Sequence, residues 1–160
     1  MHDDRRNPPA ILFLCLGNIC RSPLAEGAAR AAFSAAEIDA TLDSAGTGDW
    51  HIGHPPDARA QAEARRRGVD ISNLRARQLA ADEFRRFDLI LAADAANLSD
   101  ARAIRPADAT ATLALMLDLV PGRAGESVAD PYYGDDGGFA ATWDDVSAVA
   151  SGLVASASSG

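Results

Sequence analysis

The sequence predicts a single α/β domain with a central four-stranded parallel sheet and helices on both faces. Three observations predict it. The runs Ile11-Leu12-Phe13-Leu14 and Leu89-Ile90-Leu91-Ala92 are apolar without alternation, as strands buried on both faces are. Alanine-rich stretches of helical character lie between the strand candidates, and that alternation favours a parallel sheet with crossover helices. At 160 residues and 48% hydrophobic content the chain suffices for one full core, and it shows no internal repeat or linker.

The elements follow in order. Ala10 to Leu14 is a first strand. Pro23 opens a helix to about Ala36, since the first helical turn tolerates a missing N–H. Ala40 to Ala45 is a second strand, followed by a Gly- and Pro-rich loop from Gly46 to Pro56. Asp57 caps a helix to about Arg67, and Gly68 ends it. Ala80 to Arg86 is a short helix with a basic end, and Phe87 to Ala92 is a third strand. Asp94 to about Ala103 is helical, and Ala111 to Met116 forms a weaker fourth strand. Gly122 to Gly138 is a long loop. Phe139 to about Ala155 closes the chain, with Phe139, Trp143, Val146, Val149 and Leu153 at the spacing of a helical core face. The expected organisation is therefore a disordered leader over 1–9, a domain over 10–155 and a frayed tail over 156–160.

Composition narrows the function classes. The net charge is −8 and every basic residue is arginine, a poor balance for nucleic-acid binding. No apolar run approaches a membrane span, and Met1 to Ala10 lacks the apolar stretch of a signal peptide, so the expectation is a cytoplasmic protein. Cys15 and Cys20 are the only cysteines, too few for a secreted disulfide scaffold. His51 and His54 share a loop with no second pair of ligands at metal-site spacing, so they read as loop surface and no metal or cofactor is expected.

The chemistry concentrates in Cys15-Leu16-Gly17-Asn18-Ile19-Cys20-Arg21-Ser22, between the first strand and the first helix. A helix N-terminus offers unpaired N–H groups and a positive dipole end, and a loop curled over it adds donors. Gly17 takes positive φ at no steric cost, and Asn18 tolerates it better than most residues. Arg21 presents a planar fork that holds two phosphate oxygens. The same field favours the thiolate of Cys15, and Ser22 is placed to hydrogen-bond it. The loop therefore reads as a phosphate cradle around a nucleophile, with Leu16, Gly17, Asn18, Ile19, Cys20 and Ser22 as its substrate-binding residues.

Attack on a phosphate ester expels an alkoxide or phenolate that needs a proton, and water must then cleave the cysteinyl-phosphate. One carboxyl group serves both steps by changing protonation state. Asp130-Pro131 alone reads as an ordinary turn. Beside the Cys15 loop, Asp130 becomes the candidate acid, with Pro131 holding it extended. Tyr132 and Tyr133 suit a wall for a flat substrate ring. Trp50 fits either an opposite wall or simple packing.

Together, the Cys15–Pro23 segment, Asp43-Ser44-Ala45-Gly46-Thr47 and Asp130-Pro131-Tyr132-Tyr133 resemble the low-molecular-weight protein tyrosine phosphatases. The resemblance spans Ala10 to about Val154. It implies a two-step, metal-independent hydrolysis of phosphotyrosine in a protein substrate, with a bacterial tyrosine kinase as one candidate partner and a monomer as the working unit. It implies Cys15 as nucleophile, Arg21 as phosphate clamp and Asp130 as general acid and then base. Asn18, Ser22 and Ser44 match the family's network beneath the loop. Cys20 matches a second loop cysteine that bonds the nucleophile under oxidation and protects it reversibly. One position departs: where family members often carry a histidine supporting the loop asparagine, this chain has Leu74.

Overall fold

The computed structural model describes residues 8–132 and 137–159. The four strands are β1 (Ala10–Cys15), β2 (Thr41–Gly46), β3 (Leu89–Ala92) and β4 (Thr112–Leu115). They form one all-parallel sheet in the order β2-β1-β3-β4. Five helices accompany them: α1 (Arg21–Ala35), α2 (Ala58–Arg66), α3 (Glu83–Arg86), α4 (Ala95–Ala103) and α5 (Gly137–Ser159).

The sheet divides the core as the pleat requires. Ile11, Phe13, Cys15 and Leu91 face one cluster with α1, α2 and α5, where Leu24, Phe33, Phe139, Trp143, Val146, Val149 and Leu153 are buried. Leu12, Leu14, Ile90 and Ala92 face the other, with Phe84, Phe87, Ala101 and Leu115. Successive strand side chains point to opposite faces, so a doubly covered sheet needs apolar residues at every position. β1 has β2 on one side and β3 on the other; the connection from β1 runs outward to β2 and that from β3 runs outward to β4, so the direction reverses between β1 and β3. Ligands of parallel sheets bind outside the carboxyl ends of the strands at such a point. Cys15 ends β1 there, paired in register with Gly46.

Several element bounds differ from the sequence expectation, β3 starting at Leu89 rather than Phe87 among them, and three of the differences have a local reason. β4 stops at Leu115, and Met116–Leu119 turns into a 3₁₀ helix. Asp118 causes this: its Oδ2 accepts from Leu115 N (3.0 Å) and its Oδ1 from Gly125 N (2.7 Å). The short helix keeps only Glu83–Arg86, because Glu83 Oε2 accepts from Ala80 N (2.9 Å) and holds the preceding residues as a turn. The closing helix runs to Ser159 rather than ending near Ala155 with a frayed tail. Ala157 packs against the core there, and Ser158 Oγ donates to Val154 O at 2.8 Å. The start of α2 is as expected, with Asp57 accepting from Arg59 N, and Gly68 follows its end at φ +82°. Most of the expected leader lies outside the described residues, and Pro9 O already accepts from Thr41 N (2.8 Å).

Candidate active site

The Cys15–Ser22 loop wraps the N-terminus of α1. Its curl depends on Asn18, which holds φ +58°. The Asn18 side chain supports that strained conformation on both sides. Nδ2 donates to Ser22 Oγ (2.7 Å) and Ser44 Oγ (3.0 Å), and Oδ1 accepts from Arg77 N (3.0 Å). The Arg77 N–H thus holds the amide oxygen of Asn18, while Leu74 packs against the apolar core. Ser44 in turn donates to Glu26 Oε1 (2.8 Å), and Arg30 meets Glu26 Oε2 (2.7 Å). Glu26 is 1% exposed, so a hydrogen-bonded chain runs from the surface at Arg30 to the underside of the loop.

Cys15 Sγ lies 3.0 Å from Ser22 Oγ and accepts from Asn18 N at 3.3 Å. Both contacts place a hydrogen-bonding group of the loop on the Cys15 sulfur. Burial pushes the Cys20 thiol far up, and the charges of Asp57, Cys15 and Asp130 add to the effect. Cys20 is therefore held as a neutral thiol and Cys15 is the sulfur poised to react. Gly46, beside the loop on β2, is needed for close approach: a Cβ there would fall 2.8 Å from Leu16 O.

Arg21 is 3% exposed and tied from behind. Its Nη1 donates to Asp94 Oδ2 and to Val128 O, each at 2.8 Å. Asp94 stands just beyond β3 and caps α4, its Oδ1 accepting from Asn97 N at 2.8 Å. The other edge of the guanidinium faces forward, with Nη2 3.7 Å from Asp130 Oδ2. Asp130 also accepts from Tyr132 N at 3.1 Å, an Asx turn that fixes its carboxylate.

Together these residues enclose a cleft of about 400 Å³ lined by Cys15, Leu16, Gly17, Ile19, Cys20, Arg21, Trp50, His51, Asp130 and Tyr132. The structure thus gathers Cys15, Arg21 and Asp130 with the aromatic residues Trp50 and Tyr132 at one mouth. Trp50 is 67% exposed and lies against Gly48, where a Cβ would meet its ring. Asn18 and Ser22, expected among the substrate contacts, sit beneath the loop and shape it instead. Ser44 belongs to that same layer, while Tyr133 lies outside the described residues. Among the described residues no group of three or more His, Cys, Asp or Glu is placed to hold a metal ion.

Sequence reasoning missed several members. His51 was expected as loop surface, yet it lines the cleft and touches Gly17, where a Cβ would lie 2.8 Å from its Cδ2. Asp94 read as a helix start and as the acidic residue after the third strand, with no role given to its side chain. Its position at the carboxyl end of a strand was the available signal. Asn97, turned to suit both neighbours, accepts from Leu16 N (3.3 Å) and donates to Asp94 Oδ1 (3.0 Å). Nothing in the sequence around Asn97 pointed to that contact.

This architecture and site are those of a cysteine-dependent phosphatase on a parallel sheet. The family model described as "Low molecular weight phosphotyrosine protein phosphatase" matches residues 10–159. A low molecular weight protein-tyrosine-phosphatase of Streptomyces coelicolor is 39% identical over 150 residues, covering 91% of each chain. The crystal structure of YfkJ from Bacillus subtilis superposes with a TM-score of 0.89 at 35% identity, covering 97% of this chain and 98% of that one. Vibrio vulnificus Wzb in complex with benzylphosphonate gives 0.81 at 25% identity, covering 94% and 99%. The chain belongs to the low molecular weight phosphotyrosine protein phosphatase family, and it is a hydrolase of phosphotyrosine monoesters.

Proposed function

We propose that Cys15, Arg21 and Asp130 carry the reaction in two displacements. The Cys15 thiolate attacks phosphorus, the bond to the aryl oxygen breaks, and protonated Asp130 gives its proton to that oxygen. Water then attacks the cysteinyl-phosphate, Asp130 takes the water's proton, and the thiolate leaves with a hydrogen bond from Ser22. Arg21 and the loop N–H groups hold the phosphoryl oxygens throughout. The observation that carries this reading is the placement of Asp130 Oδ2 3.7 Å from Arg21 Nη2 in the cleft that Cys15 opens into. Trp50 and Tyr132 line the same cleft and suit an aryl ring, and the benzylphosphonate bound by the Vibrio protein is a ligand of that shape.

The same reading gives Cys20 a protective role. Peroxide oxidises the Cys15 thiolate to a sulfenic acid, and the Cys20 sulfur then bonds to Cys15 as the S–OH bond breaks, the Cys20 proton leaving with the hydroxide as water; a thiol reductant reopens the disulfide. Both sulfurs line one cleft, which supports it. The protein partner is a phosphotyrosine protein, with a bacterial tyrosine kinase as one candidate. The working unit is a cytoplasmic monomer. Among the described residues the exposed large apolar side chains are Leu16, Trp50, Ile52 and Ile104, and Leu16 and Trp50 line the cleft itself, which leaves little apolar surface for a permanent interface. No described helix is long and apolar enough to cross a membrane.

The test is a pair of variants. Cys15→Ser abolishes hydrolysis of aryl phosphates and retains phosphotyrosine proteins from lysate for identification. Asp130→Ala slows phenyl phosphate by roughly 100-fold or more and an activated ester such as 2,4-dinitrophenyl phosphate far less. Hydrolysis by Cys15→Ser at the wild-type rate, or equal slowing of both esters by Asp130→Ala, would overturn the assignment.

A further inference from the structure

A ring of contacts borders the cleft, and two of its members, Asp57 and Arg59, are not among the residues that line it. Asp57 N donates to Ile19 O at 2.8 Å, which ties the start of α2 to the phosphate-binding loop. The Asp57 carboxylate grips Arg59 on two sides, Oδ1 to Nε at 3.0 Å and Oδ2 to Nη2 at 3.1 Å. Arg59 Nη2 then donates to Tyr132 O at 2.8 Å. Its guanidinium lies over the rings of Tyr132 (5.5 Å) and Phe139 (4.8 Å). Tyr132 N donates to Asp130 Oδ1, and Asp130 Oδ2 faces Arg21. The ring runs from the loop through Asp57, Arg59, Tyr132 and Asp130 back to Arg21.

We infer that Arg59 is a positioning residue that sets the distance of Asp130 from the phosphate-binding loop. This rests on Asp130 being the general acid. Among the described residues the Asp130 segment follows Val128, whose N–H is held by Ala93 O at 2.8 Å, and α5 begins at Gly137. Between these anchors Arg59 supplies a directional bond to the segment's backbone and a planar cation over its aromatic side chain. A guanidinium does both together, which an ammonium cannot. The carboxylate of Asp57 fixes the fork, and it does so from a residue bonded to the loop itself. The acid and the loop are thereby held to one reference point. Proton transfer is steep in distance, so a shift of the acid weakens the step that needs it and leaves phosphate binding intact.

The experiment compares Arg59→Met, Arg59→Lys and Asp130→Ala on two esters, with inorganic phosphate as a competitive ligand. Methionine keeps apolar contact with Tyr132 and Phe139 and removes the donor. Arg59→Met should lower kcat/KM for phenyl phosphate by roughly tenfold while 2,4-dinitrophenyl phosphate changes by less than about twofold. Phosphate inhibition should stay at the wild-type value, and Arg59→Lys should recover part of the loss. A loss equal for both esters, or no loss, would overturn the positioning role. Asp130→Ala must itself show the ester dependence. If it does not, the acid assignment fails and the inference fails with it, and the two failures are distinguishable. Should Arg59→Met not fold, Arg59→Lys alone must still show a larger loss on phenyl phosphate than on the activated ester, or the inference falls.

Discussion

Arg21 Nη1 donates to Asp94 Oδ2 at 2.8 Å, so the buried guanidinium is braced by the residue that also starts α4. Asp94 gives one oxygen to each task, with Oδ1 capping α4 at Asn97 N. The two tasks separate by substitution. Asp94→Asn keeps a good capping oxygen and loses the charge that holds Arg21. We expect kcat/KM for an aryl phosphate to fall by roughly 10- to 100-fold, the scale of a charge-assisted hydrogen bond of about 1.5–3 kcal/mol. Asp94→Ala also loses the cap, which costs about 1 kcal/mol more in stability. Steady-state kinetics and urea unfolding of the two variants check this. Equal stability of the two would show that the cap contributes nothing.

Asn18 combines backbone strain with side-chain support. Its φ of +58° is a left-handed conformation, and its amide bonds Ser22, Ser44 and the Arg77 N–H. Asn18→Ala and Asn18→Gly remove the same side-chain bonds, but only alanine carries the left-handed penalty of about 1–2 kcal/mol. Both variants should lose roughly tenfold or more in kcat, since a loop displaced by a fraction of an ångström misaligns the thiolate. The glycine variant should unfold at higher urea concentration than the alanine variant. Wild-type turnover by Asn18→Gly would mean that the backbone alone shapes the loop.

The fold was legible because its strands are unalternating apolar runs and its helix boundaries carry Asp57, Gly68 and Asp94. The loop was legible because Cys15, Asn18, Arg21 and Ser22 lie within one turn of chain and need no tertiary knowledge. Asp130 was legible only through Pro131 and its pairing with that loop. What stayed hidden was brought in by the sheet. Asp94 is 73 positions from Arg21, and Val128, which also accepts from Arg21, is 107 away. Asp94 meets it because β3 ends at that edge of the sheet, and Val128 because its N–H is held there by Ala93 O. Glu26 stayed hidden for another reason. In sequence it is one acidic residue in an alanine-rich helix, a pattern that usually marks a solvent face, and only the packing of α1 on the sheet buries it. The early end of β4 was hidden because Asp118 acts on backbone N–H groups on both sides of it, a turn chemistry that propensity does not register.

Glu26 also gives the protein a particular dependence on pH. Burial pushes its carboxyl above the ordinary value of 4.5, outweighing the bonds from Ser44 and Arg30 that favour the ionised form. A folded-state pKa above the unfolded one means that the native state binds the proton more tightly. Through this group, stability increases as pH falls from the folded value towards 4.5, and it is lost as pH rises through the folded value. At neutral pH the buried carboxylate is a net cost, held because it orients Ser44 under Asn18. Glu26→Gln keeps an oxygen that accepts from Ser44 and removes the titration. The stability of the wild type relative to Glu26→Gln should therefore rise as pH is lowered from 8 towards 4.5, measured by urea unfolding at each pH. At pH 7 the variant should be at least as stable as the wild type while turning over more slowly, because its amide nitrogen, itself a donor, no longer accepts from Arg30. A wild type that gains on the variant as pH rises would show that Arg30 and Ser44 outweigh burial, and that Glu26 stabilises the fold as a carboxylate.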